Sequence, residues 1–268
     1  PTVQIKSYNG AVEVLEDHDP DVLYDGPLAV MVNRLSASAS EIFAGAIQDY
    51  QRGIIVGDRT FGKGTVQSLH PLNYGDRGDR LKVTMAKFYR ISGVSNQHAG
   101  IVPDIEFPSL IDHEEIGESS LPHALPSDRI KPARYHRDPM LETSLTYLRT
   151  AHEDRIDDNP EFQYVMDQME SIEKARAETR VSLNWKVRQR EKEALDARRL
   201  AIENKRRKAL GQPLFKTFAE FRDSTEDEES TSQANAETLE IDYELKETGH
   251  ILADFIALQE SQTRMAQH

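Results

Sequence analysis

The sequence contains no cysteine among its 268 residues. This excludes disulfide bonds and thiolate chemistry but leaves the compartment open, because cytosolic and exported proteins can both lack cysteine. No apolar run approaches the roughly 18 to 20 residues that a membrane span needs, so we expect no membrane span. The chain begins at Pro1 without a charged and then apolar leader. We therefore expect an internal or processed piece, with any export signal outside it.

Positive charge is also scarce, since 33 Lys and Arg face 46 Asp and Glu, for a formal charge of −13. Binding to a phosphate backbone needs a positive surface, so we do not expect a nucleic-acid partner. A hydrophobic share of 38% still allows a sizeable core, but it indicates that part of the chain is charged helix or loop. We expect one or two domains, with a compact part and a looser part.

The first 110 residues predict an α/β fold. Apolar runs over 26–33 and 54–56 are typical of strands buried on both faces. Between them, a helix from Ala39 to Gly53 is predicted from apolar residues that recur at three- and four-residue spacing. They form a stripe opposite Glu41, Gln48 and Gln51, and they are Ile42, Phe43, Ala46, Ile47 and Tyr50. The order strand, helix, strand indicates a crossover unit.

Two further strands are predicted over 65–69 and 81–89, which are rich in β-forming residues. Pro103 confines the segment 100–105 to a sheet edge or a loop. Residues 111–137 then contain acidic residues, paired serines and prolines, so we interpret them as a linker or surface strap. A domain boundary is expected near residue 111.

Residues 138–268 predict a mostly helical, charged extension. Asn159 and Pro160 suit the N-cap and first positions of one helix, and 209–211 ends another. The charged stretch 186–208 is interpreted as a solvated helix face with pairs such as Glu203 and Arg207. The acidic segment 223–236 is expected to be flexible. A last amphipathic helix is predicted around Ile251, Leu252, Phe255 and Ile256.

The segment 36–41, Ser-Ala-Ser-Ala-Ser-Glu, falls between a predicted strand and the first turn of a helix. This position suits a nucleophile, because the strand end fixes the backbone and the helix dipole favours developing negative charge. Ser38 is the candidate, since its small neighbours leave room for a substrate chain. The alternative is structural: Ser38 and Glu41 have the spacing of a capping box. Taken alone, the spacing favours the cap.

A second segment, 57–67, places glycines around Lys63. It nearly matches the phosphate-binding loop pattern, but Gly64 stands where a metal-binding hydroxyl is needed, and the residues that follow predict a strand instead of a helix. A glycine-rich turn with an exposed lysine is the simpler interpretation.

A third interpretation joins the two segments as a serine–lysine dyad. Lys63 can take the proton of Ser38 if burial disfavours its charged form, and no acidic residue lies between Thr60 and Gln67. Gln67 could orient the amine, because even spacing in an extended segment places both side chains on one face.

Histidine and metal chemistry receive less support. His18, His70 and His98 have no obvious orienting carboxylate nearby, so we interpret them as surface or turn residues. The sequence 113–115, His-Glu-Glu, lacks the paired-histidine spacing of zinc proteases and is interpreted as solvated linker. We expect no metal and no cofactor.

Together these motifs resemble the carboxyl-terminal processing proteases, and within them the long tail-specific proteases of Gram-negative bacteria. Three strings carry the resemblance: 36–41 after a buried strand, 60–67 (Thr-Phe-Gly-Lys-Gly-Thr-Val-Gln) and 100–105 (Gly-Ile-Val-Pro-Asp-Ile). Their order and separation fit throughout. The resemblance is clearest over residues 1–110, and the helical remainder is similar to that subfamily's carboxyl-terminal extension.

The resemblance implies the C-terminal part of a crotonase/ClpP-like serine protease core. Ser38 matches the family's nucleophile, Lys63 its general base and Gln67 the residue that hydrogen-bonds the lysine, while the Ala39 backbone N–H would be one oxyanion donor. The implied activity is a serine endopeptidase that cleaves proteins with apolar, unstructured C-termini. The implied location is the periplasm, and a lipoprotein adaptor is a further partner that the resemblance allows.

Two parts of the family pattern are not supplied by this chain. The upstream PDZ domain captures substrate tails by strand addition, and the second oxyanion donor also comes from upstream. We therefore expect the chain by itself to be weakly active or inactive. The rival hypothesis is a non-catalytic interaction module, in which Ser38 only caps a helix and the charged helices bind a partner. A nucleotide-binding protein is the third.

Overall fold

The computed structural model describes residues 1–19, 21–72, 78–137, 140–232 and 242–266. Contacts divide the chain into two units. The first comprises Pro1–Phe107, Ile111–Arg149 and Thr248–His268, and the second comprises Pro108–Leu110 and Thr150–Glu247. Among the described helices, none has the length and apolar character required to cross a membrane.

The first unit contains a four-stranded antiparallel sheet in the order β2-β1-β6-β5. Its strands are β1 (Val3–Ser7), β2 (Val12–Leu15), β5 (Thr65–Pro71) and β6 (Arg80–Tyr89). The strands predicted at 65–69 and 81–89 are confirmed. Strands β1 and β2 were not predicted from the sequence. They pair with each other in a hairpin, and β1 also pairs with β6, where Gln4 lies opposite Tyr89.

A second sheet of three parallel strands has the order β3-β4-β7. Its strands are β3 (Ala29–Val32), β4 (Ile54–Gly57) and β7 (Ile105–Glu106). Helix α1 (Ala39–Tyr50) connects β3 to β4, so the predicted crossover unit is confirmed. All of β4 is buried, as predicted. The same prediction for β3 is wrong because β3 is at the edge of this sheet, and Met31 is 38% exposed.

Helix α1 packs on this sheet through a stripe that matches the predicted one only in part, since Ile47 packs against the core but the most buried positions differ. The core there consists of Val32, Ala44, Ile55 and Ile101. The buried residues of α1 are Glu41, Ala44, Gly45 and Asp49, whereas Phe43 is 54% exposed. Apolar periodicity alone placed Glu41 on the solvent side. It could not reveal that two acidic side chains of the helix find polar partners inside the fold.

Among the described residues, five further helices follow the irregular segment 111–137, which carries a short 3₁₀ turn at Glu118–Ser120. They are α2 (Met140–Asp158), α3 (Pro160–Ala177), α4 (Trp185–Ala209), α5 (Phe218–Ser232) and α6 (Tyr243–Ala266). The predicted start of α3 is confirmed, because the Asn159 side chain accepts a hydrogen bond from the Glu161 amide at 2.9 Å with Pro160 in the first turn. The predicted end of α4 and the final amphipathic helix are confirmed as well.

The second unit has a polar and aromatic interior. Phe162 is fully buried and meets Tyr243 edge to face at 4.9 Å. His152 and Glu247 are also buried, with His152 Nδ1 lying 2.9 Å from Glu247 Oε1. On α4, the predicted pair of Glu203 and Arg207 is present at 3.8 Å, although Glu203 itself is buried.

The acidic run expected to be flexible is helical over 223–232, where it continues α5. Flexibility was predicted from the acidic and serine residues of this run alone. The helix starts earlier, at a cluster of aromatic rings in which Phe221 lies 5.7 Å from Phe215 and 5.8 Å from Phe218. Residues 233–236 of the same prediction lie outside the described residues.

Candidate active site

Ser38 occupies the turn between β3 and α1 in a conformation rare for a residue with a side chain. Its backbone angles are φ 59° and ψ −111°. These angles are close to those of the first central position of a type II′ turn, the mirror image of a type II turn. Glycine is favoured at that position because φ is positive. Holding a serine there costs on the order of 1 to 3 kcal/mol, and such strain concentrates at functional sites. The same sharp strand-to-helix turn presents the nucleophile in α/β-hydrolases.

The capping-box interpretation of Ser38 is confirmed, because the Ser38 side chain lies at the Glu41 backbone amide and the Glu41 side chain lies at the Ser38 amide. The Ser38 amide donates to Glu41 Oε2 at 2.8 Å, and the Glu41 amide donates to the Ser38 carbonyl at 3.0 Å. An N-cap residue normally has extended backbone angles, which Ser38 does not. The backbone of Ser38 therefore has a conformation that capping does not require.

Glu41 joins the Ser38 turn to the Lys63 loop. Its Oε2 accepts from the amides of Ser38 and Lys63, at 2.8 and 2.9 Å. Its Oε1 accepts from the Thr60 hydroxyl at 2.5 Å and from the Gly62 amide at 2.7 Å. Burial raises the pKa of the fully buried Glu41, and these hydrogen bonds act in the opposite direction.

Lys63 and Ser38 are consequently close in space. Because both amides contact one oxygen, their nitrogens can be no farther apart than those two hydrogen bonds laid end to end. Lys63 is half-buried, and its amine forms no hydrogen bond or ion pair with any residue that the structure describes. Within the described residues, no hydrogen bond joins the Ser38 hydroxyl to the Lys63 amine, so the closeness of the two residues is that of their backbones.

The turn that carries Lys63 requires glycine. Gly62 has φ +89°, and a Cβ there would lie 2.8 Å from the His98 carbonyl oxygen. After Gly64 the chain enters strand β5 and not a helix. A phosphate-binding loop needs a helix at that point, so the geometry does not favour nucleotide binding.

Gln67 lies on β5 with an exposed side chain. Its amide donates to Thr84 Oγ1 at 3.4 Å. Among the described residues, no hydrogen bond joins Gln67 to Lys63, and the pairing of β5 with β6 has an irregularity between Val66 and Gln67. In this arrangement, the hydrogen bond by which Gln67 was predicted to orient Lys63 is not formed.

The Ala39 amide stands at the first position of α1, beside Ser38. Helix geometry gives the first N–H groups no intrahelical acceptor. The carbonyl of Ser38 instead accepts from the Glu41 and Ile42 amides, at 3.0 and 3.1 Å. Among the described residues, the Ala39 N–H has no hydrogen-bond acceptor. An oxyanion donor must be free in this way.

The histidines have other surroundings. His18 and His70 are exposed, and the His98 amide donates to the Gly62 carbonyl at 2.9 Å. His113 Nε2 lies 2.7 Å from Asp58 Oδ1. Within the described residues, no three histidine, aspartate or glutamate side chains are grouped as a metal site would require.

Glu41 was predicted only as a helix cap on the polar side of α1, and Thr60 was not predicted as part of the site. No local signal could reveal the contacts between them and the Lys63 loop, because three of the four hydrogen bonds to Glu41 come from residues 19 to 22 positions away. The glycine pattern around Lys63 was the one indication that this loop is tightly held.

Comparison with known proteins assigns both parts of the chain. The family described as the C-terminal domain of tail specific protease matches residues 111–257, and Peptidase family S41 matches residues 1–107. A tail-specific protease of Haemophilus influenzae is 38% identical over 270 residues, which cover 98% of this chain and 37% of that protein. A carboxy-terminal-processing protease of Bartonella bacilliformis is 49% identical over 85 residues, which cover 32% of this chain and 19% of that protein.

Among solved structures, a photosystem II D1 C-terminal processing protease is 37% identical, with a TM-score of 0.35 over 42% of this chain and 28% of that one. The chain spans little more than a third of the Haemophilus protein. The match to the C-terminal domain alone extends over more than half of the chain. This chain therefore belongs to the tail-specific protease family and carries the Peptidase S41 and C-terminal domains of that family.

Proposed function

We propose that the protein is a serine endopeptidase of the tail-specific, C-terminal processing type, in which Ser38 is the nucleophile and Lys63 the general base. The observation that carries this proposal is the position of both residues around one buried carboxylate, Glu41. A shared anchor fixes two turns that are far apart in sequence. The strained backbone of Ser38 supports the same role, because neither a simple helix cap nor a solvated loop requires it.

The chemistry follows from these positions. The Ser38 oxygen attacks the scissile carbonyl while the Lys63 amine takes the hydroxyl proton. The resulting tetrahedral intermediate expels the amine of the downstream product, which receives that proton from Lys63 and leaves an ester on Ser38. Water then attacks the ester, with Lys63 again taking and returning a proton, so that the upstream product departs as a carboxylic acid.

The surroundings of the two groups suit this cycle. No carboxylate of the described residues is paired with the Lys63 amine. The Ala39 amide can donate to the oxyanion, and one such donor is typically worth about 10²- to 10³-fold in rate. In the family pattern, a second donor and a PDZ domain come from residues upstream of the part that this sequence matches. We propose that these 268 residues alone are weakly active or inactive.

Substrates, location and domain roles are part of the same proposal. The relatives are named as a tail-specific and a carboxy-terminal-processing protease, which supports the proposal that the substrates are proteins cleaved near their C-termini. We propose that the recognised tails are apolar and unstructured, that the protein acts in the periplasm, and that a lipoprotein adaptor is a further partner. Residues 1–110 would form the C-terminal part of a crotonase/ClpP-like core, 111–137 a strap and 138–268 a helical extension. Gln67 is proposed to orient Lys63 once substrate or further chain completes the site.

The test is cleavage of an unstructured peptide with an apolar C-terminus by the protein in its full natural length. Ser38→Ala and Lys63→Ala should each lower kcat by several orders of magnitude, since nucleophile and base act as one unit. Lys131→Ala, which removes an exposed lysine, is the matched control and should leave kcat unchanged.

Melting temperatures separate lost chemistry from lost folding. If Lys63→Ala keeps full turnover while Ser38→Ala does not, another base serves Ser38 and the dyad is wrong. Full turnover in both variants would support the non-catalytic interaction module, because a helix cap does not need Lys63.

A further inference from the structure

The first ten residues of the strap, 111–120, are held in the first unit by a buried arginine. Arg34 is 1% exposed. Its guanidinium donates to the carbonyls of Thr60 at 2.5 Å and His113 at 3.0 Å, and its Nε donates to the Ile116 carbonyl. A Cβ at Gly117 would collide with this guanidinium, so the strap passes as close to Arg34 as a backbone can. Arg34 thereby ties the strap to the loop that precedes Lys63.

A second connection runs from the strap to the far side of Lys63. The Gly64 amide donates to Gln97 Oε1 at 2.8 Å, and Gln97 Nε2 donates to Glu118 Oε1 at 3.0 Å. Gln97 is fully buried and Glu118 is 8% exposed. The Glu118 amide also donates to the Phe61 carbonyl at 3.0 Å. Glu118 therefore holds the Lys63 turn on both sides, once through its backbone and once through Gln97.

The turn around Lys63 is consequently fixed amide by amide. The Phe61 amide donates to the Ser36 carbonyl at 2.9 Å, and the Gly62 and Lys63 amides donate to Glu41. The Gly64 amide completes the series through Gln97. Such a backbone leaves the Lys63 side chain as the part that can move. The precise placement of a general base matters because a displacement near 1 Å can cost about 10²-fold in rate.

We propose that Gln97 and Glu118 are positioning residues for Lys63. The strap opens the region that matches the C-terminal domain of tail specific protease, so this domain contributes directly to the placement of the general base. The inference rests on the proposed function, in which Lys63 is that base. It assigns to the strap a role in catalysis that a passive linker does not have.

The pair can be tested by exchanging its two side chains. Gln97→Glu keeps an acceptor for the Gly64 amide but places a second carboxylate against Glu118. The double variant Gln97→Glu, Glu118→Gln restores one amide and one carboxylate with their places reversed. We expect kcat of the single variant to fall about 10- to 100-fold with KM nearly unchanged, because the substrate contacts are untouched. The double variant should recover to within about threefold of the starting kcat.

The assay uses the full-length protein and an unstructured peptide, and it is run at about pH 7 and at about pH 9. A proton shared between the two facing carboxyls of Gln97→Glu would restore a donor at the lower pH, so the loss of kcat should be larger at the higher pH. Glu118→Ala provides a second disruption without an added charge, in case Gln97→Glu does not fold. Glu114→Ala is the matched control, since Glu114 is an exposed strap residue. It should keep both kcat and KM.

Recovery in the double variant supports the positioning role, because a general loss of stability would not be repaired by the exchange. Unchanged kcat in folded Gln97→Glu and Glu118→Ala would overturn it, as would a double variant no better than the single one. Lys63→Ala keeps the two proposals distinct. If it abolishes turnover while the Gln97 and Glu118 variants are active, only the positioning role fails.

Discussion

Replacing Glu41 with glutamine probes the connection that brings Ser38 and Lys63 together. The two carboxylate oxygens accept four hydrogen bonds, two each. A glutamine supplies one oxygen and one NH₂ group. In its better orientation the NH₂ faces the Thr60 hydroxyl, which can turn to accept, and the Gly62 amide, which cannot. At least one buried N–H is then left without a partner.

Such a group costs about 1 to 3 kcal/mol, so we expect Glu41→Gln to lower the free energy of unfolding by about that amount. The Gly62 and Lys63 amides would shift, and kcat should fall on the order of 10- to 100-fold. Denaturant unfolding and peptide cleavage measure the two effects. Glu114→Gln, at an exposed site, is the control. A Glu41→Gln protein as stable and as active as its parent would refute the anchoring role.

The pH dependence of stability gives a second readout of Glu41. Burial raises the pKa of Glu41 above the ordinary glutamate range, against the opposing effect of its hydrogen bonds. A raised folded-state pKa contributes stability that is full below the unfolded-state pKa and is lost as the pH rises through the folded-state value. Glu41→Gln should remove this loss, and an identical pH profile in both proteins would contradict the direction of the shift.

Two predictions concern the helical region. Burial by itself would raise the pKa of Glu247, but hydrogen bonds with His152 and Arg155 outweigh it and hold the pKa below the ordinary range. This stability is present above the unfolded-state pKa and is lost as the pH falls through the folded-state value. The hydrogen-exchange protection factors of α2, which carries His152 and Arg155, should therefore fall in acid, and less so in Glu247→Gln. Equal acid sensitivity would be inconsistent with this pairing. At the start of α3, Asn159→Ala should cost about 0.5 to 2 kcal/mol in denaturant unfolding, whereas Asn159→Asp should keep the cap. Equal losses in both variants would rule out capping as the cause.

The crossover unit could be predicted from the sequence because its signals are local. Apolar runs over 26–33 and 54–56, with helical spacing between them, define strand, helix and strand without knowledge of the partners. Strands β1 and β2 had a local signal that the sequence interpretation did not use, because Asn9 and Gly10 between two short β-forming runs favour a hairpin. The pairing of β1 with β6, about 80 positions away, could not be read from local patterns.

The candidate site divides in the same way. Ser38 was proposed from its place after a strand and between small residues, and Lys63 from the glycines around it. The capping-box spacing also identified the hydrogen bond from the Ser38 amide to Glu41. The burial of Glu41 and the link from Gly64 through Gln97 to Glu118 depend on residues that meet only in the folded chain. The sequence indicates only that Glu41 is a polar residue near the start of a helix. The donors that surround it are known only from the fold.

The most direct test of the account is whether an acyl group forms on Ser38. The full-length protein is mixed with an activated peptide ester, quenched in acid within milliseconds to seconds, and digested for mass analysis of the segment that contains Ser38. We predict an added acyl mass on Ser38 that accumulates more slowly, by about 10² or more, in Lys63→Ala. Turnover of the ester without acylation of Ser38, or equal acylation rates with and without the lysine, would contradict the serine–lysine mechanism.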